Sequence, residues 1–187
     1  MKSPKMKISF KTIKPDINFL SFQELVIKFG LLDSLYFSVQ TTNMPVVLIS
    51  RYSKKKIYSH LVQKRVELGG FLIGKIYEIN IFNQISYVTE ITNSIESKDF
   101  KSNTVSLSLG TDIWNSARRF TEKGLLIVGW YHSHPGFGAF FSSTDRKTQQ
   151  NFFQENFQIG LVVDPFSKEE RMFFGKNSIE LKNPIIY

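Results

Sequence analysis

Apolar and polar residues recur along this chain with two periods, one typical of helices and one typical of strands. Apolar residues three or four apart predict helices, and short apolar runs bounded by turn residues predict strands. The predicted helices cover about 21–29, 53–65, 112–123 and 144–153. The predicted strands cover 36–40, 46–50, 68–77, 79–91, 125–131, 159–163 and 171–174, with an edge strand within 179–187. This mixed order predicts an α/β domain with a mixed sheet.

Several helix ends and one loop are marked by specific residues. Ser21 and Glu24 are spaced as in a capping box, and Gly30 is placed to end the same helix. Thr111 is a plausible N-cap for the helix at 112–123. The segment 92–103 is rich in Ser, Asn and Lys, which predicts a flexible loop.

The composition is that of an ordinary globular protein, with 42% hydrophobic and 21% charged residues. No apolar stretch approaches the roughly 20 residues that span a bilayer, and no signal-peptide pattern follows the basic N-terminus. The chain has no cysteine, which excludes disulfides, a thiol nucleophile and thiolate metal sites. We therefore expect a cytoplasmic protein without a membrane partner.

The net charge of +8 is concentrated towards the N-terminus, because residues 1–56 hold ten lysines and arginines against three acids. One interpretation is a solvated basic edge. Another is a docking surface for an acidic partner or a polyanion. The interleaving of aromatic and basic residues found in nucleic-acid modules is missing, so we do not expect nucleic acid as the main partner.

Candidate chemistry is concentrated in residues 132–145. His132 and His134 directly follow the apolar run 125–131, which predicts a strand. Side chains two apart on a strand point to the same face, so the two imidazoles can bind one ion. A turn that contains two glycines then brings Asp145, at the start of the next helix, towards the same ion. Two imidazoles and one carboxylate leave a fourth zinc position for water, as in catalytic sites.

Each of these residues also has a purely structural interpretation. Ser142 and Asp145 are spaced as in a capping box, so Asp145 could serve only as a helix cap. Glu67 taken alone could be an ordinary surface acid, and His60 is expected to be a surface or boundary residue, not a ligand. The aromatic residues of the region are expected to pack and not to contact a cofactor; they are Trp130, Phe137, Phe140 and Phe141.

The spacing of the candidate ligands resembles the signature of the JAMM (MPN+) metalloprotease family, His-Ser/Thr-His-x7-Ser-x2-Asp. In this chain the same pattern runs from His132 through Ser142 to Asp145. The wider run 129–138 is similar to the proteasome-lid deubiquitinase and the signalosome deneddylase of that family.

Two further segments strengthen the resemblance. Residues 65–74 resemble the family's Glu-x-x-Gly-hydrophobic-x-x-Gly segment, with Glu67 at the glutamate position. Residues 158–165 resemble the family's strand that ends in Val-Val-Asp-Pro. The likeness spans about residues 46–175.

The resemblance implies a single JAMM/MPN-type (cytidine-deaminase-like) domain with a mixed β-sheet flanked by helices. It implies one Zn²⁺ per chain, bound by His132, His134, Asp145 and a water molecule. Glu67 would act as general base and Ser142 would hydrogen-bond the oxyanion. The implied reaction is hydrolysis of an isopeptide or peptide bond after the C-terminal tail of ubiquitin or a ubiquitin-like protein.

The chain also departs from many relatives. It has no cysteine, and 22 residues follow Pro165, so we expect neither the second zinc site nor the C-terminal helices of some members. Residues 1–45 match no part of the family, which predicts a basic N-terminal extension before a catalytic domain at 46–187. This organisation is similar to bacterial JAB-type proteases, so we expect a bacterial source.

We expect the substrate tail to enter by strand addition, with the loop at 92–103 as a wall of its groove. Two other functions stay open. One is a non-catalytic MPN scaffold that binds partners, and the other is a JAB relative that acts on DNA or on a small peptide adduct. The sequence leaves the oligomeric state and the identity of the modifier open.

Overall fold

A computed structural model describes residues 17–40, 44–81, 83–98, 101–103, 106–108, 111–182 and 184–187. The helices in this part of the chain are α1 (Phe22–Phe29), α2 (Leu31–Gln40), α3 (Arg51–Leu61), α4 (Thr111–Thr121) and α5 (Ser143–Phe152). The strands are β1 (Val46–Ile49), β2 (Gly69–Ile81), β3 (Gln84–Glu96), β4 (Lys101–Asn103), β5 (Ser106–Ser108), β6 (Leu126–Ser133), β7 (Ile159–Asp164), β8 (Glu169–Phe174), β9 (Ile179–Leu181) and β10 (Ile185–Ile186). Among the described helices, none is long and apolar enough to cross a membrane.

Eight strands form one mixed sheet in the order β10-β1-β3-β2-β6-β7-β8-β9, and β4 and β5 form a separate hairpin. Strand β6 lies between β2, to which it is antiparallel, and β7, to which it is parallel. The parallel pair requires a crossover, which α5 provides. The mixed sheet flanked by helices confirms the predicted α/β fold class.

The sheet is curled, because its two edge strands are joined by a very short link. Only residues 182–184 separate β9 from β10, although these strands lie at opposite edges. A link of that length reaches at most roughly 14 Å. The edges of a flat sheet of eight strands would lie roughly 33 Å apart. The edges must therefore approach each other around the core.

Alternation along the central strands divides the core between two faces of the sheet. On one face Leu72 and Tyr131 pack with α3 residues such as Ile57. On the other face Phe71 and Trp130 pack with residues of α4, including Ile113, and with Phe153 at the end of α5. His132 has the same parity in β6 as Trp130, so its side chain belongs to the α4–α5 face.

The N-terminal helices pack at the other end of β2, against a third apolar cluster. A fully buried carboxylate, Glu90 of β3, lies beneath them. It accepts hydrogen bonds from Lys28 of α1, from Tyr187 and, at 3.0 Å, from Tyr77 of β2. Because it is bonded from three elements, Glu90 ties α1 and the segment after β10 to the sheet.

The strand predicted at 36–40 is wrong, because these residues belong to helix α2. Gly30, with φ of 87°, ends α1 as predicted, but a second helix begins one residue later. Ser34, Phe37 and Ser38 are buried at helical spacing. The inward face of α2 is thus partly serine, so the helical period does not show in the pattern of apolar residues.

The loop predicted at 92–103 is also largely wrong. Strand β3 continues to Glu96, and its polar residues Asn93 and Ser94 pair with Ile73 and Leu72 of β2. Backbone hydrogen bonds of the ladder override the weak strand propensity of these residues. Residues 99–100 lie outside the described residues, and 101–103 form β4.

The remaining differences concern the ends of elements. Helix α3 ends at Leu61 and not at residue 65, and α4 begins at Thr111 itself. The predicted C-terminal edge strand is two strands, of which β9 pairs with β8 and β10 pairs with β1. The capping box of Ser21 and Glu24 is present as predicted.

Candidate metal centre

Backbone pairing at the end of β6 positions the two histidines. His132 is paired with Gly69 on one side and with Val162 on the other. One residue beyond the strand, the His134 N–H donates to the Val163 carbonyl at 3.0 Å, which keeps the chain extended. The two imidazoles therefore leave the same face of the chain, as the sequence predicts.

Glu67 is brought beside the histidines by the segment that leads into β2. The Ser133 N–H donates to the Leu68 carbonyl at 2.9 Å, and the Leu68 N–H donates to Ser133 Oγ at 3.1 Å. These two bonds extend the β2–β6 pairing by one residue towards Glu67.

The turn after His134 is held by the carboxylate of Asp164. Gly136 and Gly138 have φ of 80° and 82°, values that residues other than glycine rarely adopt. Their N–H groups donate to Asp164 Oδ1 at 3.0 Å and Oδ2 at 2.9 Å. Donation by Gly136 foremost, and by Gly138 and Phe166, holds the pKa of Asp164 well below its usual range although burial opposes this. The chain is thereby returned to the start of α5.

The candidate ligand atoms meet at the spacing of a tetrahedral metal centre. His132 Nε2 and His134 Nε2 are 3.2 Å apart. Asp145 Oδ1 is 3.3 Å from His132 Nε2, and Asp145 Oδ2 is 3.5 Å from His134 Nε2. Ligand atoms at the usual zinc bond length of about 2.0–2.1 Å and at tetrahedral angles lie about 3.3 Å from one another. Two nitrogens at this spacing, each facing a different oxygen of one carboxylate, fit zinc.

Glu67 completes the group without being a member of the close triangle. Its carboxylate and the three other ligand atoms all lie within 4.8 Å of one another. Burial raises the pKa of Glu67 to about 7, with His134 opposing and Asp145 adding to the rise. A carboxylate with a pKa near neutrality is suited to accept and return a proton.

The electrostatics of the ligands suit a cation. Burial, first of all, lowers the pKa of His132 although Asp145 opposes this, so the ring is held in the neutral form that binds metals. Burial works to raise the pKa of Asp145, yet the hydrogen bonds from His132 and His134 hold it well below its usual range. The centre thus offers a neutral nitrogen of His132 and an anionic oxygen of Asp145.

Asp145 and Ser142 also form the capping box that the sequence suggests. The Ser142 N–H donates to Asp145 Oδ2 at 2.7 Å, and the Asp145 N–H donates to Ser142 Oγ at 3.2 Å. The two interpretations of Asp145 are therefore compatible, because the carboxylate caps α5 and faces both imidazoles.

Several expected positions differ in the structure. His60 is buried on α3, where its Nδ1 lies 2.9 Å from the Tyr131 hydroxyl, so the predicted surface or boundary position is wrong. It does not belong to the metal-binding group. Of the aromatic residues expected to pack, Trp130 and Phe141 are buried, whereas Phe137 is 79% exposed and Phe140 47% exposed. Phe140 nevertheless packs on the His134 ring at 4.9 Å.

Two residues near the site were not identified from the sequence. Asp164 belongs to the Val-Val-Asp-Pro resemblance, which does not indicate that it orders the turn that follows the histidines. Gln149, one turn after Asp145 on α5, accepts a hydrogen bond from the Trp130 indole at 2.7 Å. The i, i+4 spacing from Asp145 is the signal that could have indicated it.

Comparison with family models decides the relationship. The model for prokaryotic homologs of the JAB domain matches residues 53–172. The chain belongs to this JAB-domain family. The resemblance to JAMM/MPN+ proteins is confirmed, and the matched residues include all four members of the metal-binding group.

Curated relatives of this JAB-domain protein include eukaryotic subunits. It is 52% identical over 46 residues to ubiquitin carboxyl-terminal hydrolase RPN11 of Saccharomyces cerevisiae, which covers 24% of this chain and 15% of that protein. It is 30% identical over 134 residues to COP9 signalosome complex subunit 5 of the same yeast, which covers 66% of this chain and 30% of that protein. The matches thus span less than a third of the length of these relatives.

A solved structure supports the fold. The solution structure of protein DSY2949 from Desulfitobacterium hafniense matches with a TM-score of 0.55 at 15% sequence identity. The match covers 76% of this chain and 93% of the other. At this identity the likeness concerns the fold alone.

Proposed function

We propose that this JAB-domain protein is a zinc-dependent isopeptidase or peptidase that cleaves after the C-terminal tail of ubiquitin or a ubiquitin-like protein. The observation that carries the proposal is the meeting of His132, His134 and Asp145 at tetrahedral spacing with Glu67 beside them. Because the scaffold alternative requires no ligands, the complete set favours an enzyme.

In the proposed mechanism His132, His134 and Asp145 hold one zinc ion per chain. Bound zinc acts as a Lewis acid and lowers the pKa of a water molecule towards about 7. The partly buried Glu67 carboxylate accepts the proton that the attacking water loses, and later delivers a proton to the leaving amine. Burial of this carboxylate in the metal-free site raises its pKa and so favours the protonated form that returns the proton.

Ser142 is proposed to stabilise the oxyanion of the tetrahedral intermediate. Its Oγ already accepts a hydrogen bond from the Asp145 N–H, which engages a lone pair and not the hydroxyl proton. The hydroxyl can therefore donate to an oxyanion while it still caps α5. Donors fixed before the reaction are worth several kcal/mol in such sites.

The substrate class is proposed from the relatives. One curated relative is named a ubiquitin carboxyl-terminal hydrolase, and others are subunits of the proteasome and of the COP9 signalosome. We propose conjugates or precursors of ubiquitin-like proteins as partners, residues 46–187 as the catalytic domain with 1–45 as an extension, and action in the cytoplasm of a bacterium.

The deciding experiment is cleavage of a panel of ubiquitin and ubiquitin-like fusions and conjugates by the purified full chain. We expect cleavage after the modifier tail, loss of cleavage with a chelator and recovery with added zinc. Glu67→Gln should keep one zinc per chain and lose at least a hundredfold in rate, since only the proton acceptor is removed.

The matched control is Glu122→Gln, which changes an exposed glutamate paired with Arg118 on the surface. It should leave both zinc content and rate unchanged. His132→Ala should lose zinc and activity together. A Glu67→Gln protein as active as the wild type would exclude the mechanism, and partner binding insensitive to chelator without any cleavage would favour the scaffold alternative.

A further inference from the structure

The imidazole of His132 rests on the indole of Trp130, two residues earlier on β6. The two rings are parallel to within 6°, with centroids 4.5 Å apart, and both side chains are buried. A ring stacked in this way cannot rotate freely about its χ2 angle, because rotation would drive its edge into the indole. The direction of His132 Nε2 therefore depends on the position of the indole.

A hydrogen bond to Gln149 fixes the position of the Trp130 indole within the plane of the indole ring. Trp130 Nε1–H donates to Gln149 Oε1 at 2.7 Å in a buried bond. Gln149 Nε2 in turn donates to the Phe153 carbonyl at 2.7 Å and to the Gln158 carbonyl at 3.1 Å. Because two carbonyl acceptors hold the amide nitrogen, the amide oxygen must face the indole. The Gln149 amide oxygen and both of its N–H groups therefore have hydrogen-bond partners that fix the orientation of the amide.

The same helix supplies both this support and a candidate ligand. Asp145 and Gln149 are four residues apart on α5, so they lie on one face of the helix. Strand β7 closes the arrangement at Gly160, where an added Cβ would lie 2.7 Å from Gln149 Oε1 and 3.0 Å from Trp130 Nε1. The absence of a side chain at position 160 lets β7 approach the indole and the amide.

We propose that Gln149 and Trp130 are positioning residues of the metal centre. Through them α5 sets the direction of His132 Nε2 as well as the position of the Asp145 carboxylate. A displacement of α5 would therefore disturb both His132 Nε2 and Asp145 Oδ1, which lie 3.3 Å apart. This inference rests on the metal centre of the proposed function.

A purely structural role for Gln149 predicts a different outcome from a positioning role. Loss of a core hydrogen bond lowers stability but leaves the affinity of the folded protein for zinc unchanged. Loss of ligand positioning weakens zinc binding, and groups that orient metal ligands typically contribute 10–100-fold to affinity. The affinity for zinc in the folded protein is thus the measurement that separates the two roles.

The test compares Gln149→Met with Gln150→Met, a change of the same kind at the exposed neighbouring position on α5. Zinc affinity of the full chain is measured by competition with a chromophoric chelator, with the visible spectrum of the cobalt-substituted protein and the metal-free Tm recorded alongside. We expect Gln149→Met to bind zinc 10–100-fold more weakly and to show an altered cobalt spectrum. Gln150→Met should match the wild type in both.

A double-variant cycle with Trp130→Phe tests whether Gln149 acts through the indole. Phenylalanine keeps an aromatic face but has no N–H for Gln149, so Trp130→Phe should itself weaken zinc binding about tenfold. Adding Gln149→Met to Trp130→Phe should then weaken it no further. If Gln149→Met does not fold, the affinity of Trp130→Phe decides the question.

Wild-type zinc affinity in Gln149→Met, or in Trp130→Phe, would overturn the inference, even if the Tm falls. Fully additive losses in the double variant would also overturn it. A wild-type protein that binds no zinc would instead contradict the proposed metal centre itself.

Discussion

At the scale of single residues, Asp145 and Ser142 cap α5 with the same side-chain groups that are proposed to bind zinc and the oxyanion. Asp145 Oδ2 accepts the Ser142 N–H at 2.7 Å and also lies 3.5 Å from His134 Nε2. The cap holds the carboxylate in one rotamer, which aims it at the imidazoles. A helix N-terminus also favours a negative charge, so α5 assists in keeping Asp145 ionised.

Ser142→Ala is expected to separate the two roles of this serine. The loss of the N-cap should destabilise the protein by about 1 kcal/mol. If Ser142 also donates to the oxyanion, the rate of cleavage should fall by about 100-fold or more. The measurements are denaturant unfolding and the rate of modifier cleavage.

Ser50→Ala is the matched control, because Ser50 Oγ caps α3 by accepting from the Ser53 N–H at 3.1 Å, as Ser142 does for α5. It should lose a similar stability and keep its rate. Equal loss of rate in both variants would remove the oxyanion role.

The candidate site residues can largely be predicted from the sequence, whereas the residues that hold them in position cannot. The spacing of His132, His134 and Asp145 identifies the candidate ligands, and the resemblance adds Glu67. The roles of Gln149 and Asp164 are missed because they depend on contacts between segments that are distant in the sequence. Nothing in the sequence places Gln149 beside Trp130 or Asp164 beside the glycines.

At the scale of elements, the turn between β6 and α5 depends on a carboxylate from β7. Asp164 accepts from Gly136 and Gly138, so the turn is held from outside and not by its own residues. Its folded pKa lies below that of a free carboxyl, about 3.9. The ionised form therefore stabilises the fold above that pH, and this contribution is lost as pH falls through the two values.

Asp164→Asn should therefore be less stable than the wild type at pH 6, with a difference that narrows as pH falls towards 3. Asparagine cannot ionise, so it lacks the pH-dependent part of the contribution. The measurement is Tm against pH in metal-free buffers. Asp33→Asn, at an exposed position of α2, should show no comparable difference. A difference in Tm between Asp164→Asn and the wild type that does not change with pH would contradict the lowered pKa of Asp164.

The buried carboxylate of Glu90 ties α1 and the chain beyond β10 to the sheet. Glu90→Gln removes the charge that Lys28, Tyr77 and Tyr187 share. The expected loss is about 2–4 kcal/mol in urea unfolding, because buried ion pairs are strongly destabilised when one partner is removed. The side chain of Lys28 is 37% exposed, so it can turn to water, which limits the loss.

Glu170→Gln provides the comparison for Glu90→Gln. Glu170 pairs with Lys54, and both side chains are about one-quarter exposed. Water screens such a pair, so the loss should stay below about 1 kcal/mol. A similar loss in the two variants would show that Glu90 does not hold the N-terminal helix in place.

At the scale of the whole molecule, the candidate centre connects elements that are distant in sequence. Glu67 precedes β2, His132 lies in β6 with His134 just beyond it, and Asp145 lies on α5. An ion that binds the folded state alone stabilises it by mass action, by about 2.7 kcal/mol at one hundred times its dissociation constant. A domain of this size gains about 2–4 °C in Tm per kcal/mol.

Zinc at that excess should therefore raise Tm by roughly 5–10 °C, and a chelator should reverse the rise. Scanning calorimetry of the full chain measures both. His132→Ala should show neither shift, because it lacks one of the two nitrogen ligands. A chelator effect of equal size in His132→Ala would place the bound metal elsewhere.

The overall architecture follows from the sequence only in part. The strong apolar runs of β6 and β7 and the capping box of α5 predict these elements well. Helix α2 is missed because it buries Ser34 and Ser38, and the end of β3 because its pairing overrides local preference. The placement of β9 and β10 at opposite edges arises from pairing with β8 and β1, and local patterns contain no information on such long-range pairing.

The curl of the sheet and its short edge strands affect how easily two copies of the protein can pair through their strand edges. The two edges of the main sheet are only three and two residues long, and the short link between them draws them together. Open edges of longer strands are the usual starting points of fibre growth. The edge strands β9 and β10 are therefore too short to offer another copy of the chain more than two or three residues to pair with.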